Sequence, residues 1–131
     1  MLKQLFTLLA GIVTIKDCGN KATDQAIITG FGFFPLTPSP DEKTELWVAY
    51  DLKSAITGGT ATYTYSFNGI PFSPTVDDLC SQTNCPKLIG TYNETSDSNF
   101  PSGLSGKVIT SIEWANQNND PVWCVELTFK I

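Results

Sequence analysis

The side chains that could carry out acid–base chemistry in this chain are carboxylates, because the sequence contains no histidine. Asp41-Glu42 and Asp77-Asp78 are adjacent acidic pairs. Neighbours along a strand point apart, whereas the two carboxylates of a glycosidase converge across a cleft. The lack of histidine also excludes Ser-His-Asp and Cys-His catalysis and histidine-ligated metal sites. We therefore expect a protein that is not an enzyme and has no metal site and no cofactor.

Four cysteines, Cys18, Cys80, Cys85 and Cys124, supply the remaining reactive groups. An even number of cysteines behind a secretory signal is typical of disulfide bonds, and three pairings are open. Cys80 and Cys85 flank a short polar stretch that can turn back on itself. This favours their pairing and leaves Cys18 with Cys124. The alternative is a tetrahedral metal site of four thiolates, which lacks the usual Cys-x-x-Cys spacing.

The N-terminal residues indicate the compartment. One lysine precedes a short apolar run, which predicts a secretory signal over residues 1–12, with the domain at 13–131. The run is shorter than the roughly 18–20 residues of a membrane-spanning helix. The alternative is that Ile12 to Ile15 form a first strand and nothing is removed. Asn93 begins a glycosylation sequon in a polar stretch that we predict to be a loop. These features predict a secreted protein or one of the endosomal or lysosomal lumen.

Composition and charge limit the size of the fold and the class of partner. The chain has 131 residues, of which 41% are hydrophobic and 16% charged, and this is typical of one packed domain. Its net charge is −5. A nucleic-acid-binding surface needs clustered basic residues, and the lysines here are scattered. We expect no nucleic-acid partner and a monomer.

Alternating apolar and polar residues predict strands, and no segment has a helical period. The clearest strands are Glu45 to Leu52, Thr60 to Phe67, Val108 to Trp114 and a last strand from Trp123 to Ile131. Asn68-Gly69 is a strong signal for a hairpin turn. Short, half-polar strands separated by turns are typical of an antiparallel sandwich, so we predict an all-β fold.

The cysteines stand within a series of short motifs. In chain order these are Asp-Cys-Gly at Cys18, Pro-Ser-Pro-Asp-Glu-Lys from Pro38, Leu-Cys-x4-Cys-Pro from Leu79, Glu-Trp at Trp114 and Trp-Cys-Val at Cys124. Over residues 13–131 this series resembles the ML family of lipid-recognition domains. The resemblance implies an immunoglobulin-like, two-sheet antiparallel β-sandwich with a lipid cavity between the sheets. It also implies the disulfide pairing favoured above.

One segment distinguishes branches within this family. Pro-Ser-Pro-Asp-Glu-Lys resembles the phosphatidylglycerol/phosphatidylinositol transfer branch, whereas the related Niemann–Pick type C sterol carriers usually have an extra cysteine pair nearby, which Phe34 to Pro40 lacks. The resemblance implies a protein that binds phospholipid, contacts membranes transiently and transfers lipid between them. Sterol transport is the close alternative. A lipid-presenting or lipid-free interaction module is an alternative of another class.

The expected lipid-binding residues are mostly aromatic residues on inward strand faces and in adjacent loops. Phe100-Pro101 and Trp114 resemble cavity-mouth positions of the sterol carriers. Such residues serve equally in ordinary core packing, so sequence alone does not separate a filled interior from a hollow one. The full expected set is Tyr63, Tyr65, Phe67, Phe72, Phe100, Pro101, Trp114 and Val125.

Overall fold

The structure, a computed structural model, describes residues 13–35, 42–99 and 105–130. The predicted signal over residues 1–12 lies outside them, and the alternative first strand corresponds to β1, which begins at Val13. In the described part of the chain the elements are β1 Val13–Asp17, β2 Ala26–Phe34, β3 Lys43–Leu52, β4 Gly59–Phe67, β5 Ile70–Pro71, β6 Thr75–Asp78, α1 Leu79–Gln82, β7 Gly90–Asn99, β8 Lys107–Asn116 and β9 Pro121–Lys130.

The strands form two antiparallel sheets. The larger sheet has the order β1-β9-β8-β4-β5, with β6 also paired to β4, and the smaller sheet has the order β2-β3-β7. Side chains from both sheets meet in one apolar core. The prediction of an all-β, two-sheet antiparallel sandwich is confirmed.

The predicted alternation sets which face of each strand is buried. In β3 the residues Leu46, Val48 and Tyr50 are buried while Glu45 and Trp47 are exposed, because successive side chains of a strand point to opposite faces. The turn after β4 has positive φ angles at Asn68 (51°) and Gly69 (82°). These left-handed conformations suit a two-residue hairpin, and asparagine and glycine adopt them most readily.

The prediction of a loop around Asn93 is wrong. This segment is strand β7, which pairs with β3 from Lys43↔Asn99 to Leu52↔Gly90. It is an edge strand, so backbone hydrogen bonds to one neighbour define it and its side chains need not be apolar. Asn93 lies opposite Ala49 and is exposed on the outer face.

The favoured disulfide pairing is present. Cys18, directly after β1, is bonded to Cys124 in β9, and Cys80 in α1 is bonded to Cys85. The first bond joins an edge strand to its neighbour near one end of the sandwich. The second closes the α1 loop beside the same end.

The two sheets diverge from one side of the sandwich to the other. On the first side, Cα atoms of β1 and β9 come within 8 Å of Cα atoms of β2. On the opposite side, β4 and β7 have no pair of Cα atoms that close among the residues that the structure describes. The two layers are therefore in close backbone contact on the β1–β2 side and not on the β4–β7 side.

Candidate functional site

Two adjoining cavities lie between the diverging sheets. We call them the Phe129 cavity, of about 120 Å³, and the Trp123 cavity, of about 50 Å³. Both are bordered by Leu46, Tyr63, Ser96 and Ile112. The lining thus combines the inner faces of β3 and β7 with those of β4 and β8.

The Phe129 cavity has apolar walls and a polar margin. Its apolar lining is Phe33, Leu46, Tyr65, Ile112, Leu127 and Phe129, and its polar lining includes Ser96, Ser98 and Thr110. Phe33 and Phe129 stack across the two sheets with ring centroids 5.5 Å apart. This contact closes the cavity at the end of the sandwich away from the disulfides, because Phe33 and Phe129 lie near the ends of β2 and β9.

Two tyrosines of β4 form one wall of the Phe129 cavity. Tyr63 donates a hydrogen bond from its hydroxyl to Oε1 of Gln82, over 2.8 Å, and Tyr65 packs against the ring of Phe72 at 5.3 Å. Burial raises the pKa of Tyr63, an effect that Asp77 increases, and burial also raises the pKa of Tyr65. Both phenols therefore remain neutral, so this wall carries no charge.

A polar cluster borders the Trp123 cavity on the β7 side. Glu94 accepts hydrogen bonds from the hydroxyl of Tyr50 over 2.8 Å and from Oγ1 of Thr83 over 3.1 Å. Its Oε2 also lies 3.3 Å from Nζ of Lys87, whose side chain is only 7% exposed. Lys87 Nζ in turn lies 4.1 Å from the ring centroid of Tyr92. The cluster fastens edge strand β7 to β3 and to the segment that follows α1.

Aromatic rings in mutual contact lie at one side of the Trp123 cavity. The rings of Trp114 and Trp123 lie 4.5 Å apart, and Tyr50 from the other sheet contacts each at 6.0 Å. The pKa of Tyr50 is raised, first by burial and then by its hydrogen bond to Glu94, so its hydroxyl stays a donor. Within the described ranges, Nε1 of Trp123 is the single buried side-chain nitrogen or oxygen without a hydrogen-bond partner.

Three of the expected lipid-binding residues lie together at the cavities, three others lie away from them, and two fall outside the described residues. Tyr63, Tyr65 and Trp114 line the cavities. The remaining expected residues are distributed as follows: Val125 is fully packed in the core, Phe67 is half-buried against it, Phe72 is exposed beside Tyr65, and Phe100 and Pro101 lie outside the described residues.

Sequence reasoning missed two kinds of lining residue. Leu46, Trp123 and Phe129 belong to the apolar sets of alternating strands, so alternation could have identified them. Glu94 and Ser96 gave no such signal, because β7 was predicted to be a loop. Only the pairing of β7 with β3 turns these polar residues toward the cavities.

A wider depression of about 530 Å³ lies on the other side of the molecule, between β1 and β2. It is bordered by Ile15, Lys16, Lys21, Phe31 and Trp47. Lys16 is largely exposed and pairs with Glu126 at 3.3 Å. Ile15 and Phe31 pack against the apolar core, so this depression opens between the edges of the two sheets, on the side opposite β4 and β7.

Two kinds of feature are absent from residues 13–35, 42–99 and 105–130. No cluster of three or more His, Cys, Asp or Glu side chains there could hold a metal ion. No helix in the same ranges has the length and apolar character needed to cross a membrane.

Comparison with known proteins identifies the family. The family model for the ML domain matches residues 13–131, so the chain belongs to the ML-domain family, whose members bind lipids. The resemblance found in the motif series is thus confirmed. No curated protein sequence matches the chain.

Solved structures share the fold at low sequence identity. A Niemann–Pick type C2 protein from Japanese carpenter ant superposes with a TM-score of 0.69 and 12% identity, over 90% of this chain and 98% of that one. Chicken MD-1, complexed with lipid IVa, superposes with a TM-score of 0.65 and 16% identity, over 90% of this chain and 88% of that one. The C-terminal domain of Wzt superposes with a TM-score of 0.54 and 14% identity, over 89% of this chain and 75% of that one. At these identities the likeness supports the fold alone.

Proposed function

We propose that this protein is a carrier that binds a lipid between its two sheets and transfers it between membranes. The observation that carries the proposal is the apolar, aromatic-lined space where β4 and β7 diverge. The proposed ligand is a glycerophospholipid of the phosphatidylglycerol or phosphatidylinositol type, with sterol as the alternative. No group of the site needs to act as a catalyst.

The size of the cavities implies that the sheets move when a ligand enters. Pockets for small molecules usually measure about 300–1,000 Å³, which exceeds the 120 Å³ and 50 Å³ found here. β7 is an edge strand that faces β4 without close backbone contact. We therefore expect outward movement of β7 to enlarge the space for a hydrocarbon chain.

The energetics suit reversible transfer. Each CH₂ group removed from water contributes about 0.8 kcal/mol. A chain that passes from the interior of a bilayer to the interior of the protein exchanges one apolar environment for another, so these contributions nearly cancel. Extraction from and return to a membrane then have similar free energies.

One end of the sandwich fits the proposed contact with a membrane. Phe34 and Ile70 are 71% and 64% exposed there, and strand register places Lys43, Lys107 and Lys130 at the same end. Exposed apolar side chains enter a bilayer surface, and nearby lysines attract anionic headgroups. The Phe129 cavity lies directly behind this end.

The proposed compartment is the secretory pathway, outside the cell or in the endosomal or lysosomal lumen. Two disulfide bonds persist in such oxidising environments. The side chain of Asn93 points away from the cavities, so a glycan there would leave them accessible. The proposed working form is a monomer.

Ligand extraction and a cavity-filling variant test the proposal. The purified protein is extracted with organic solvent, lipids are identified by mass spectrometry, and transfer between liposomes is measured for phosphatidylglycerol, phosphatidylinositol and cholesterol. Ser96→Trp should fill the space between the sheets and lower transfer at least tenfold. Asp97→Trp places the same side chain on the outer face, opposite Glu45, and should retain transfer.

The outcomes separate the candidate functions. Faster transfer of cholesterol than of either phospholipid would select sterol transport. Recovery of no lipid, together with no transfer by the unmodified protein, would overturn the proposal and favour an interaction module. Equal transfer by Ser96→Trp and the unmodified protein would show that lipid binds elsewhere.

A further inference from the structure

The indole N–H of Trp123 is a buried hydrogen-bond donor. Trp123 is 3% exposed and lines the Trp123 cavity, and its Nε1 has no hydrogen-bond partner among the described residues. A buried donor without a partner costs free energy, so native proteins rarely leave one unpaired. Since an indole N–H can only donate, the missing partner must be an acceptor.

The cavity has room for such an acceptor. Its volume of about 50 Å³ exceeds the roughly 10–15 Å³ that a single water-sized group requires. The neighbouring Phe129 cavity is larger and mostly apolar. A ligand could therefore place one oxygen near Trp123 while its hydrocarbon part occupies the adjoining space.

The charge of the lining selects the kind of oxygen. Glu94 is the charged residue that lines the Trp123 cavity, and no lysine of the described residues lines it. Because Glu94 is already paired with Lys87, whose Nζ lies 3.3 Å from its Oε2, no unpaired cation of the described residues lines the cavity. A phosphate or carboxylate removed from water there would therefore carry an uncompensated charge, which costs much free energy. A neutral oxygen has no such charge to compensate and still accepts from the indole.

We infer that the Trp123 cavity is a subsite for a neutral oxygen of the bound lipid, which accepts a hydrogen bond from Trp123 Nε1. The inference rests on the proposed lipid-binding function and specifies how the lipid is held. Two lipid groups share this chemistry, namely a hydroxyl and an ester carbonyl. An anionic headgroup remains outside this subsite.

Four probes with the same chain length separate these groups. Radiolabelled dodecane, 1-dodecanol, methyl dodecanoate and dodecanoate are delivered from cyclodextrin, and binding to the full chain is measured. Trp123→Phe removes the N–H and keeps an aromatic ring. It should weaken binding of the alcohol, the ester or both by about 3- to 10-fold, the usual worth of one hydrogen bond, and should change dodecane binding less than twofold.

The control is the same substitution at a tryptophan outside the site. Trp47 lies on the outer face of β3 and is 37% exposed. Trp47→Phe should leave binding of all four probes within twofold of the unmodified protein. Whichever of the alcohol and the ester responds to Trp123→Phe identifies the source of the oxygen.

A measurement without mutation covers the case in which Trp123→Phe does not fold. In ¹H–¹⁵N spectra of the unmodified protein, the indole N–H resonance of Trp123 should move downfield with the oxygen-bearing neutral probe and not with dodecane. Equal loss of dodecane and 1-dodecanol binding in Trp123→Phe, or an indole resonance that responds alike to both, would overturn the inference. Failure of every probe to bind the unmodified protein would overturn the proposed function itself.

Discussion

The ion pair between Glu94 and Lys87 yields a quantitative prediction. Glu94→Gln retains an acceptor oxygen for the hydroxyl of Tyr50 but removes the negative charge beside Lys87. The ammonium group, on a side chain only 7% exposed, would keep the ring of Tyr92 as a neighbour. An uncompensated buried charge therefore remains in the folded state.

The magnitude follows from the burial of the two partners. Removing one member of a fully buried pair costs about 3–5 kcal/mol. The side chain of Glu94 is 20% exposed, so solvent screening lowers the expected loss to roughly 2–4 kcal/mol. For a domain of this size each kcal/mol lowers the Tm by about 4 °C, which gives a drop of roughly 8–16 °C.

The companion variant should lose less stability. Lys87→Met keeps an apolar stem against Tyr92 and leaves Glu94 with the hydrogen bonds from Tyr50 and Thr83. We expect a loss of about 1–2 kcal/mol. In the double variant no unpaired charge remains, so the coupling energy should be at least about 1 kcal/mol.

Thermal and urea unfolding of the four proteins in this cycle provide the assay. The matched control is the exposed pair Lys43–Asp97, whose side chains are 67% and 51% exposed at a similar distance of 3.2 Å. Its cycle should give a coupling below about 0.5 kcal/mol. A loss below about 0.5 kcal/mol in Glu94→Gln, or equal coupling in the two cycles within ~0.3 kcal/mol, would show that the buried charge of Lys87 does not depend on Glu94.

Three further predictions concern disulfides and pH. Replacing Cys18 and Cys124 by serine opens a loop whose ends are 106 residues apart, and it should lower the free energy of unfolding by up to about 4–5 kcal/mol on chain-entropy grounds. Replacing Cys80 and Cys85, which are 5 residues apart, should lower it by about 2 kcal/mol. A larger loss for the short loop, measured by urea unfolding, would contradict this. Burial raises the pKa of Asp24, so the folded state binds this proton more readily than the unfolded chain, and stability falls as pH rises through the raised pKa. Asp24→Asn should therefore raise the Tm at pH 7, with the gain vanishing below the usual range of an aspartate, near ~3.9; a gain that persists at pH 3 would argue against this cause. Because the chain has no histidine, any increase in liposome transfer under acid should be gradual toward about pH 4–5, where carboxylates titrate, and a sharp midpoint near ~6.5 would count against it.

Much of the fold could be predicted from local patterns. Alternation along β3, β4 and β9 gave their buried faces, and Asn68-Gly69 marked the hairpin turn, because these signals depend on residues adjacent in sequence. The motifs around the cysteines indicated the ML family and the disulfide pairing. β7 could not be predicted in the same way, since a polar edge strand is defined by its neighbour β3.

An acidic, histidine-free, disulfide-bonded β-sandwich of the ML family could be predicted from the residues alone, with Tyr63, Tyr65 and Trp114 as inward-facing aromatic residues. The packing of the two sheets leaves a narrow space beside them, on the side where β4 and β7 have no close backbone contact among the described residues. The pairing of β7 with β3 brings Glu94 to that space, and the indole N–H of Trp123 is left without a hydrogen-bond partner among the described residues. Alternation fixes the direction of a side chain, whereas an empty volume and a missing partner depend on how distant strands approach one another.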